Sequence, residues 1–213
     1  MRFVTAEELK VLDPKRFEEE YVAWREYADA YEWWDSEYEY FIDKWEKQGL
    51  VVAAKDICWS GFWSQGDGLG FSGYMRADEF MEKHGYHETH LALYLDVQNY
   101  GGLLETARLG YHAHRITHVD FSYSPCNCYP PSVFKGLSHE AWDALVQEQY
   151  DEVFHDIEEA ALKFFQDCAD ELYKALEKTW EDITSVEVFI ENCGANGLTF
   201  EIETDGVEYE IQN

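Results

Sequence analysis

The spacing of hydrophobic and polar residues follows two different periods along the chain, and each predicts a different secondary structure. In residues 14–48 and 139–182, apolar side chains recur every three or four positions, which is the period of an amphipathic helix. Asp13-Pro14 supplies an N-cap followed by proline at the favoured first helical position, and Gly49 ends the first stretch. The sequence therefore predicts two long helices.

Outside these helices the pattern predicts strands and one short helix near residues 77–84. The predicted strands are 51–63, 69–75, 91–98, 107–116 and 117–124, followed by a C-terminal β-meander of Val186–Cys193, Leu198–Glu203 and Val207–Ile211. Asn196-Gly197 and Asp205-Gly206 are strong hairpin signals within the meander. The prediction is an α+β fold in a single domain of residues 1–213, with a mostly antiparallel sheet packed against two long aromatic-rich helices.

Both predicted helices carry an acidic face beside an apolar one. The apolar stripe of the first helix is largely aromatic: Phe17, Tyr21, Trp24, Tyr31, Trp34, Tyr38, Ile42 and Trp45. Ser138 is a plausible N-cap for the second helix, which contains fourteen acidic residues and three lysines. The acidic residues that we expect to contact a partner are Asp29, Glu32, Glu39, Asp43 and Glu46 on the first helix and Asp151, Glu152, Glu158 and Glu159 on the second.

The charge of the chain is strongly and unevenly negative. It has 44 Asp and Glu against 16 Lys and Arg, a formal net charge of -28, whereas residues 49–138 hold nine acids and six bases. A hydrophobic content of 46% is too high for a disordered acidic tail, so the charge must lie on a folded surface. Such a surface repels nucleic acids and anionic membranes and attracts basic proteins, including those that bind nucleic acids.

The cysteines and the N-terminal residues predict a cytosolic protein. Five cysteines are an odd number scattered along the chain, which is not typical of a secreted disulfide framework. Residues 1–15 have no apolar signal core, and the chain lacks an uncharged run long enough to span a bilayer. We therefore expect no membrane contact. The eight tryptophans could serve a dimer interface as readily as a core, so a homodimer is an alternative to a monomer.

The segment Cys58–Gly73, CWSGFWSQGDGLGFSG, has only one charged residue, Asp67. Its GDGLG portion resembles a phosphate-binding loop, but the pattern predicts no helix after it, and an aspartate stands where an anion would approach. We interpret it as a glycine turn between two strands, with Trp59, Phe62 and Trp63 packed into the core.

Histidines cluster in two segments, at His84, His87 and His90 and at His112, His114 and His118. On a strand, His112 and His114 would share a face and could bind a metal together with Cys126 or Cys128. The HExxH and paired CxxC motifs are absent, and local hydrogen bonding explains such histidines equally well. We predict no metal, no cofactor and no catalytic residue. A metal-assisted hydrolase that uses these histidines remains an alternative.

The order of several motifs resembles a family of uncharacterised small acidic proteins from bacteriophages and prophages. The motifs are SGFWSQGDG before an apolar strand, then GYHAHRITHVDFSY, then LYKALEKTWEDITS and a closing hairpin, across residues 55–210. The aromatic helix at residues 14–48 and the PCNCYPP segment are not matched in that pattern. The resemblance implies a phage origin.

These features together predict a non-enzymatic, phage-encoded inhibitor that acts in the host bacterial cytoplasm. Acidic residues three and four apart on a helix are spaced by roughly 5 Å along its axis, which is close to the spacing of nucleic acid charges. The expected partner is a basic nucleic-acid-binding host protein, such as a CRISPR effector or a restriction enzyme, with no direct binding of nucleic acid. The main alternative is a small-ligand protein that binds a nucleotide signal between Trp59–Phe71 and His112–His118. Adaptation to high salt is another source of acidity, but it does not explain the uneven charge.

Overall fold

The structure is a computed structural model that describes residues 1–28, 32–62, 64, 67–107, 115–123 and 130–203. In chain order its elements are β1 (Arg2–Val4), α1 (Ala6–Leu12), α2 (Pro14–Ala28), α3 (Asp35–Glu46), β2 (Leu50–Ser60), β3 (Gly68–Arg76), α4 (Ala77–Lys83), α5 (Tyr86–Thr89), α6 (Leu91–Tyr100), β4 (Gly102–Ala107), β5 (His118–Tyr123), a 3₁₀ turn (Ser132–Phe134), α7 (His139–Ile183), α8 (Val186–Ala195) and β6 (Phe200–Ile202). The two sheets among them are antiparallel. The predicted α+β class is confirmed.

The chain divides into two compact units, and α7 runs from the second into the first. Unit 1 comprises residues 1–34 and 177–213, and unit 2 comprises residues 35–176. The single domain predicted for residues 1–213 stays a prediction.

Unit 1 is built around a small core where α1, α2 and α8 meet the β1–β6 strand pair. Val4, Leu9, Phe17, Phe189 and Cys193 are buried together in this core. The Thr5 hydroxyl accepts the backbone N–H of Glu8, and the Glu8 carboxylate accepts the N–H of Thr5, so a capping box begins α1. The hydrophobic pattern did not predict β1 and α1, because both are very short.

Unit 2 contains a four-stranded antiparallel sheet in the order β2-β3-β4-β5. Phe71 of β3 is fully buried, with its ring 4.9 Å from Trp45 of α3 and 6.4 Å from Phe165 of α7. Phe121 of β5 stacks on Phe154 of α7 at 6.0 Å. One face of the sheet therefore holds the core of unit 2.

The long helix predicted at 14–48 is wrong in one respect, because the structure has two helices there. Residues 33–34 form a turn, and α3 begins at Asp35 with two acidic residues in its first turn, which the helix dipole favours. Asp13 caps α2 by accepting the N–H of Arg16 at 3.1 Å, as predicted, and Gly49 follows the end of α3. The three- and four-residue spacing of apolar side chains continues past this turn, because α3 also buries one of its faces. The spacing alone therefore does not reveal the break.

Two predicted strands are helices. Residues 91–98 lie in α6, where Leu93 and Val97, four positions apart, are both fully buried. Residues 186–193 lie in α8, where Phe189 and Cys193 are buried with the same spacing. In both segments, aliphatic residues at alternate positions gave the sequence pattern that is typical of a strand. The four-residue period of the buried side chains decides the structure.

The Asn196-Gly197 signal marks the end of α8 and not a hairpin. Gly197, at φ +63°, donates to the Gly194 carbonyl, and Leu198 donates to the Cys193 carbonyl. This Schellman arrangement needs a left-handed residue, which glycine supplies without strain. The strand predicted at 198–203 is β6, which pairs with β1, while residues 207–211 lie outside the described residues.

The other predicted elements lie close to their predicted positions. Strands 51–63, 69–75 and 117–124 correspond to β2, β3 and β5, and helices 77–84 and 139–182 correspond to α4 and α7. The Ser138 hydroxyl accepts the N–H of Ala141 at 3.2 Å and so caps α7. β4 begins earlier than the strand predicted at 107–116, most of which lies outside the described residues.

Candidate functional site: an acidic face on a long helix

The central part of α7 exposes a row of carboxylates that we name the acidic face: Glu148, Asp151, Glu152, Asp156 and Glu159. From the first to the last, these five residues span about 16 Å of helix axis. That is one carboxylate per roughly 4 Å, close to the one charge per about 3.4 Å of a single DNA strand. No lysine or arginine occurs between residues 139 and 162.

The opposite side of α7 fixes the acidic face in place. Within unit 2 its fully or nearly buried side chains are Trp142, Val146, Val153, Ile157, Ala161, Phe165, Cys168, Ala169, Leu172 and Leu176. A hydrogen bond also connects α7 to α6, because the side-chain oxygen of Gln149 accepts the backbone N–H of Leu93 at 3.0 Å. The helix therefore presents its carboxylates from a rigid support.

A buried carboxylate anchors the N-terminal part of α7. Asp96 of α6 is 2% exposed, and it accepts hydrogen bonds from the Trp142 indole N–H at 3.3 Å and from the Tyr123 hydroxyl. Burial, and then the hydrogen bond to Asp96, raises the pKa of Tyr123. This carboxylate joins three elements and faces the core, so its role is structural.

Three of the four predicted site residues on α7 are exposed, but one is not. Asp151, Glu152 and Glu159 lie at the surface, whereas Glu158 is half-buried and accepts the backbone N–H of Phe121 at 3.3 Å. Glu158 therefore connects α7 to β5 and contributes less to the exposed charge. The helical repeat explains this, because Glu158 lies nearer the sheet than Glu159.

The carboxylates of the acidic face have few cationic neighbours. His90 Nε2 lies 3.7 Å from Glu152, and His155 Nε2 lies 3.1 Å from Glu159. Asp151 accepts a hydrogen bond from the Gln147 amide at 2.7 Å. Among the ion pairs of the described residues, none joins this face to a lysine or arginine.

Two tyrosines near the acidic face, Tyr86 and Tyr150, have raised pKa values. Burial, followed by the charges of Glu158 and Asp151, raises the pKa of Tyr150. Burial, followed by the charge of Asp156, raises the pKa of Tyr86. In both cases burial is the largest cause, and the neighbouring carboxylates add to it.

The predicted site residues on α3 do not join the acidic face. Glu39, Asp43 and Glu46 are exposed on α3, where Asp43 is paired with Lys47 at 2.5 Å. Lys44 of α3 binds Glu171 of α7 at 2.5 Å, and Glu171 lies twelve residues, or about 18 Å of axis, beyond the acidic face. These residues form a separate patch in unit 2. Glu32 is exposed in unit 1, and Asp29 lies outside the described residues.

Two members of the acidic face, Glu148 and Asp156, were not among the site residues predicted from the sequence. Glu148, Glu152 and Asp156 are each four positions apart, so the spacing that selected their neighbours would also have found them.

In the glycine-rich segment, β3 begins directly at Gly68, so Gly68, Leu69 and Gly70 lie in a strand and not in the predicted turn, and no helix begins directly after them, as predicted. The Asp67 N–H donates to the Ser64 carbonyl at 3.1 Å. The Asp67 carboxylate accepts the N–H of Ser64 and, at 2.7 Å, its hydroxyl. Gly61 adopts φ +33°, and a Cβ there would lie 2.9 Å from the Asp67 carboxylate. Trp59 and Phe62 are half-buried and not part of the deep core, while Trp63 lies outside the described residues.

A cavity of about 410 Å³ lies between this turn and α7. We name it the turn cavity, and it is lined by Asp67, Gly68, Leu69, Arg115, Ile116, Gln166, Ala169, Asp170 and Tyr173. The Tyr173 hydroxyl donates to the Gly61 carbonyl at 2.5 Å, and the Gln166 amide donates to the Ile116 carbonyl at 3.0 Å. Two chain segments are thus bound to α7 at the rim of this cavity.

The described histidines do not form a metal site. Within the described ranges, no three His, Cys, Asp or Glu side chains lie together in a way that could hold a metal ion. His118 is exposed and lies 2.9 Å from Asp120, and burial lowers the pKa of His84. His112, His114, Cys126 and Cys128 lie outside the described residues, so the alternative that uses them is not tested.

The fold and the acidic face define an acidic α+β protein built on one long helix and an antiparallel sheet. Residues 33–186 match the model of a family described as Domain of unknown function (DUF8835), and the chain belongs to this family. The matched range contains all of unit 2. No curated protein and no solved structure matches the chain. Among the helices of the described residues, none combines the length and apolar character needed to cross a membrane.

Proposed function

We propose that the protein is a phage-encoded, non-enzymatic inhibitor that binds a basic nucleic-acid-binding protein of its bacterial host through the acidic face. The observation that carries this proposal is the row of five exposed carboxylates on α7, with a linear charge density close to that of one nucleic acid strand. A channel built for phosphates would attract this row by its charge. The class of partner is an anti-phage defence protein in the host cytoplasm, such as a CRISPR effector or a restriction enzyme.

The support beneath the row favours this function over a diffuse acidic surface. The buried stripe of α7 and the sheet fix the helix backbone that carries the carboxylates, so little backbone entropy is lost when a partner binds. The half-exposed rings of Tyr86 and Tyr150, adjacent to the face, could add apolar contact area at the edge of the interface. Tyrosine is enriched at such positions because it is large and has a polar tip.

The test is binding to a panel of purified defence nucleases in competition with their DNA or RNA, at increasing salt. We expect displacement of the nucleic acid and an affinity that falls steeply with salt. The informative variant neutralises four charges without changing shape: Glu148→Gln, Glu152→Gln, Asp156→Asn and Glu159→Gln. Four rim charges at roughly 0.5–1 kcal/mol each would weaken binding by about 30-fold or more.

The matched control removes the same four units of charge elsewhere. Glu18→Gln, Glu26→Gln, Glu187→Gln and Glu191→Gln alter exposed residues of unit 1. If binding depends on the acidic face, the control keeps most of its affinity. Equal losses in the two variants would show a response to net charge alone and would contradict the proposal, as would binding that does not change with salt.

A further inference from the structure

The turn cavity combines features of a small-molecule site, and none of them depends on the acidic face. Its volume of about 410 Å³ lies within the range of roughly 300–1,000 Å³ that is typical of ligand pockets. Its walls come from the turn after β2, the residues before β5, and α7. The hydrogen bonds of Tyr173 and Gln166 hold these walls together.

Three charged residues line the cavity: Asp67, Arg115 and Asp170. The Asp67 carboxylate accepts the N–H and the hydroxyl of Ser64, whereas Arg115 and Asp170 form no ion pair with each other. Arg115 uses one N–H of its guanidinium to bind the Asp67 carbonyl at 3.1 Å, and the group has five N–H donors. Asp170 is exposed on α7. Neither residue forms an ion pair with any described residue, although both face the same space. A ligand that carries both charges could bridge them.

The third feature of the cavity is apolar. Leu69, Ile116 and Ala169 line it and are 4%, 2% and 3% exposed, so they offer a small apolar patch that is fixed by its burial. A purely anionic ligand would meet the Asp170 carboxylate, and a purely cationic one would meet Arg115. A zwitterion with an apolar group satisfies all three features.

We propose that the turn cavity binds a free α-amino acid with an aliphatic side chain. Arg115 binds its carboxylate, because a guanidinium forms paired hydrogen bonds with that group. Asp170 accepts hydrogen bonds from its ammonium group, and the side chain packs on Leu69, Ile116 and Ala169. This ligand differs from the nucleotide of the small-ligand alternative, because it carries an ammonium group as well as an anionic group.

The first experiment is calorimetric titration of the full chain with three probes of equal carbon skeleton. L-leucine carries both charges, leucinamide lacks the carboxylate, and 4-methylpentanoate lacks the ammonium group. We expect leucine to bind and each of the other two to bind about 10- to 100-fold more weakly, because one charged hydrogen-bonded contact is lost. Failure of leucine to bind, or equal binding of all three probes, would overturn the proposal.

Variants then assign each charge to its residue. Arg115→Gln should weaken leucine binding by about 10-fold or more but leave leucinamide binding unchanged. Asp170→Asn should weaken leucine binding but leave 4-methylpentanoate binding unchanged. Asp156→Asn, on the same helix but outside the cavity, is the control and should bind leucine as the parent chain does.

Both altered residues are exposed, so the variants should fold, and thermal unfolding checks this. A variant that loses affinity for all probes equally would indicate a general distortion of the cavity and would contradict the assigned roles. The outcome is independent of nuclease binding, because the four-residue acidic-face variant leaves every residue lining the cavity unchanged.

Discussion

One face of α7 is apolar and buried, whereas the other is acidic and exposed, and the two faces have opposite effects on stability. The buried face meets the sheet through aromatic contacts such as Phe71 with Phe165 and Phe121 with Phe154. The acidic face places like charges four positions apart, which destabilises a helix. The difference shows that packing on one side supports the charge row on the other.

The largest expected effect comes from the buried face. Phe165→Ala removes a fully buried ring that packs against Phe71, and we expect it to lower the free energy of unfolding by about 3–5 kcal/mol. Urea denaturation followed by circular dichroism measures the change. Glu148→Ala, on the acidic face, is the control and should stay within about 0.5 kcal/mol of the parent. Similar losses in both variants would contradict the division between the faces.

The second prediction uses the buried thiol of Cys168. Burial, then the charge of Glu171, raises its pKa from 9.0 to about 12. Because the folded pKa exceeds the unfolded one, this contribution to stability is complete below pH 9 and is lost as the pH rises towards 12. Each pKa unit corresponds to about 1.4 kcal/mol, so the free energy of unfolding falls by roughly 4 kcal/mol at most. Urea denaturation between pH 8 and 11 should show a shallower decline for Cys168→Ala, and identical slopes would rule out this thiol as the cause.

A smaller effect is expected at the polar anchor of the buried face. Asp96→Asn replaces one acceptor oxygen by an amide group, so either Trp142 or Tyr123 loses its acceptor. We expect a loss of about 1–3 kcal/mol in the free energy of unfolding. Tyr123→Phe, which keeps the bond from Trp142, should cost less than Asp96→Asn. A reversed order of the two variants would mean that Asp96 is not the common acceptor.

The smallest effect, with the opposite sign, is expected on the acidic face. Glu152→Gln combined with Asp156→Asn removes a repulsive pair and should stabilise the protein by about 0.2–0.5 kcal/mol at low salt. In 1 M NaCl the gain should largely disappear, since the Debye length falls to about 3 Å. Thermal unfolding at the two salt concentrations measures it. A gain that persists in high salt would point to a cause other than charge repulsion.

Much of the fold could be predicted from local patterns. The caps Asp13 and Ser138 and the strands β2, β3 and β5 depend on neighbouring residues, so the sequence indicated them correctly. The strands predicted at residues 91–98 and 186–193 were wrong, because alternating aliphatic residues in a short segment fit both the strand period and the helix period. The break before Asp35 was missed because burial continues on both sides of it.

The acidic face could be predicted in part for the same reason. Helical spacing found Asp151, Glu152 and Glu159, since which residues share a face is a property of the helix alone. Spacing could not show that Glu158 binds the N–H of Phe121, because that bond depends on where β5 lies. The turn cavity is lined in part by residues of the two segments named in the small-ligand alternative, but the presence of Arg115 and Asp170 on one cavity depends on three elements meeting.

The sequence by itself determined the helical period of α7, its capped start, and the strongly acidic character of its exposed side, because each depends on residues a few positions apart. Only the tertiary structure decided which carboxylates remain exposed, that the residues of α3 form a separate patch, and that two opposite charges face one cavity. The physical reason is that exposure and pairing depend on groups distant in sequence, which are brought together when apolar side chains pack in the core.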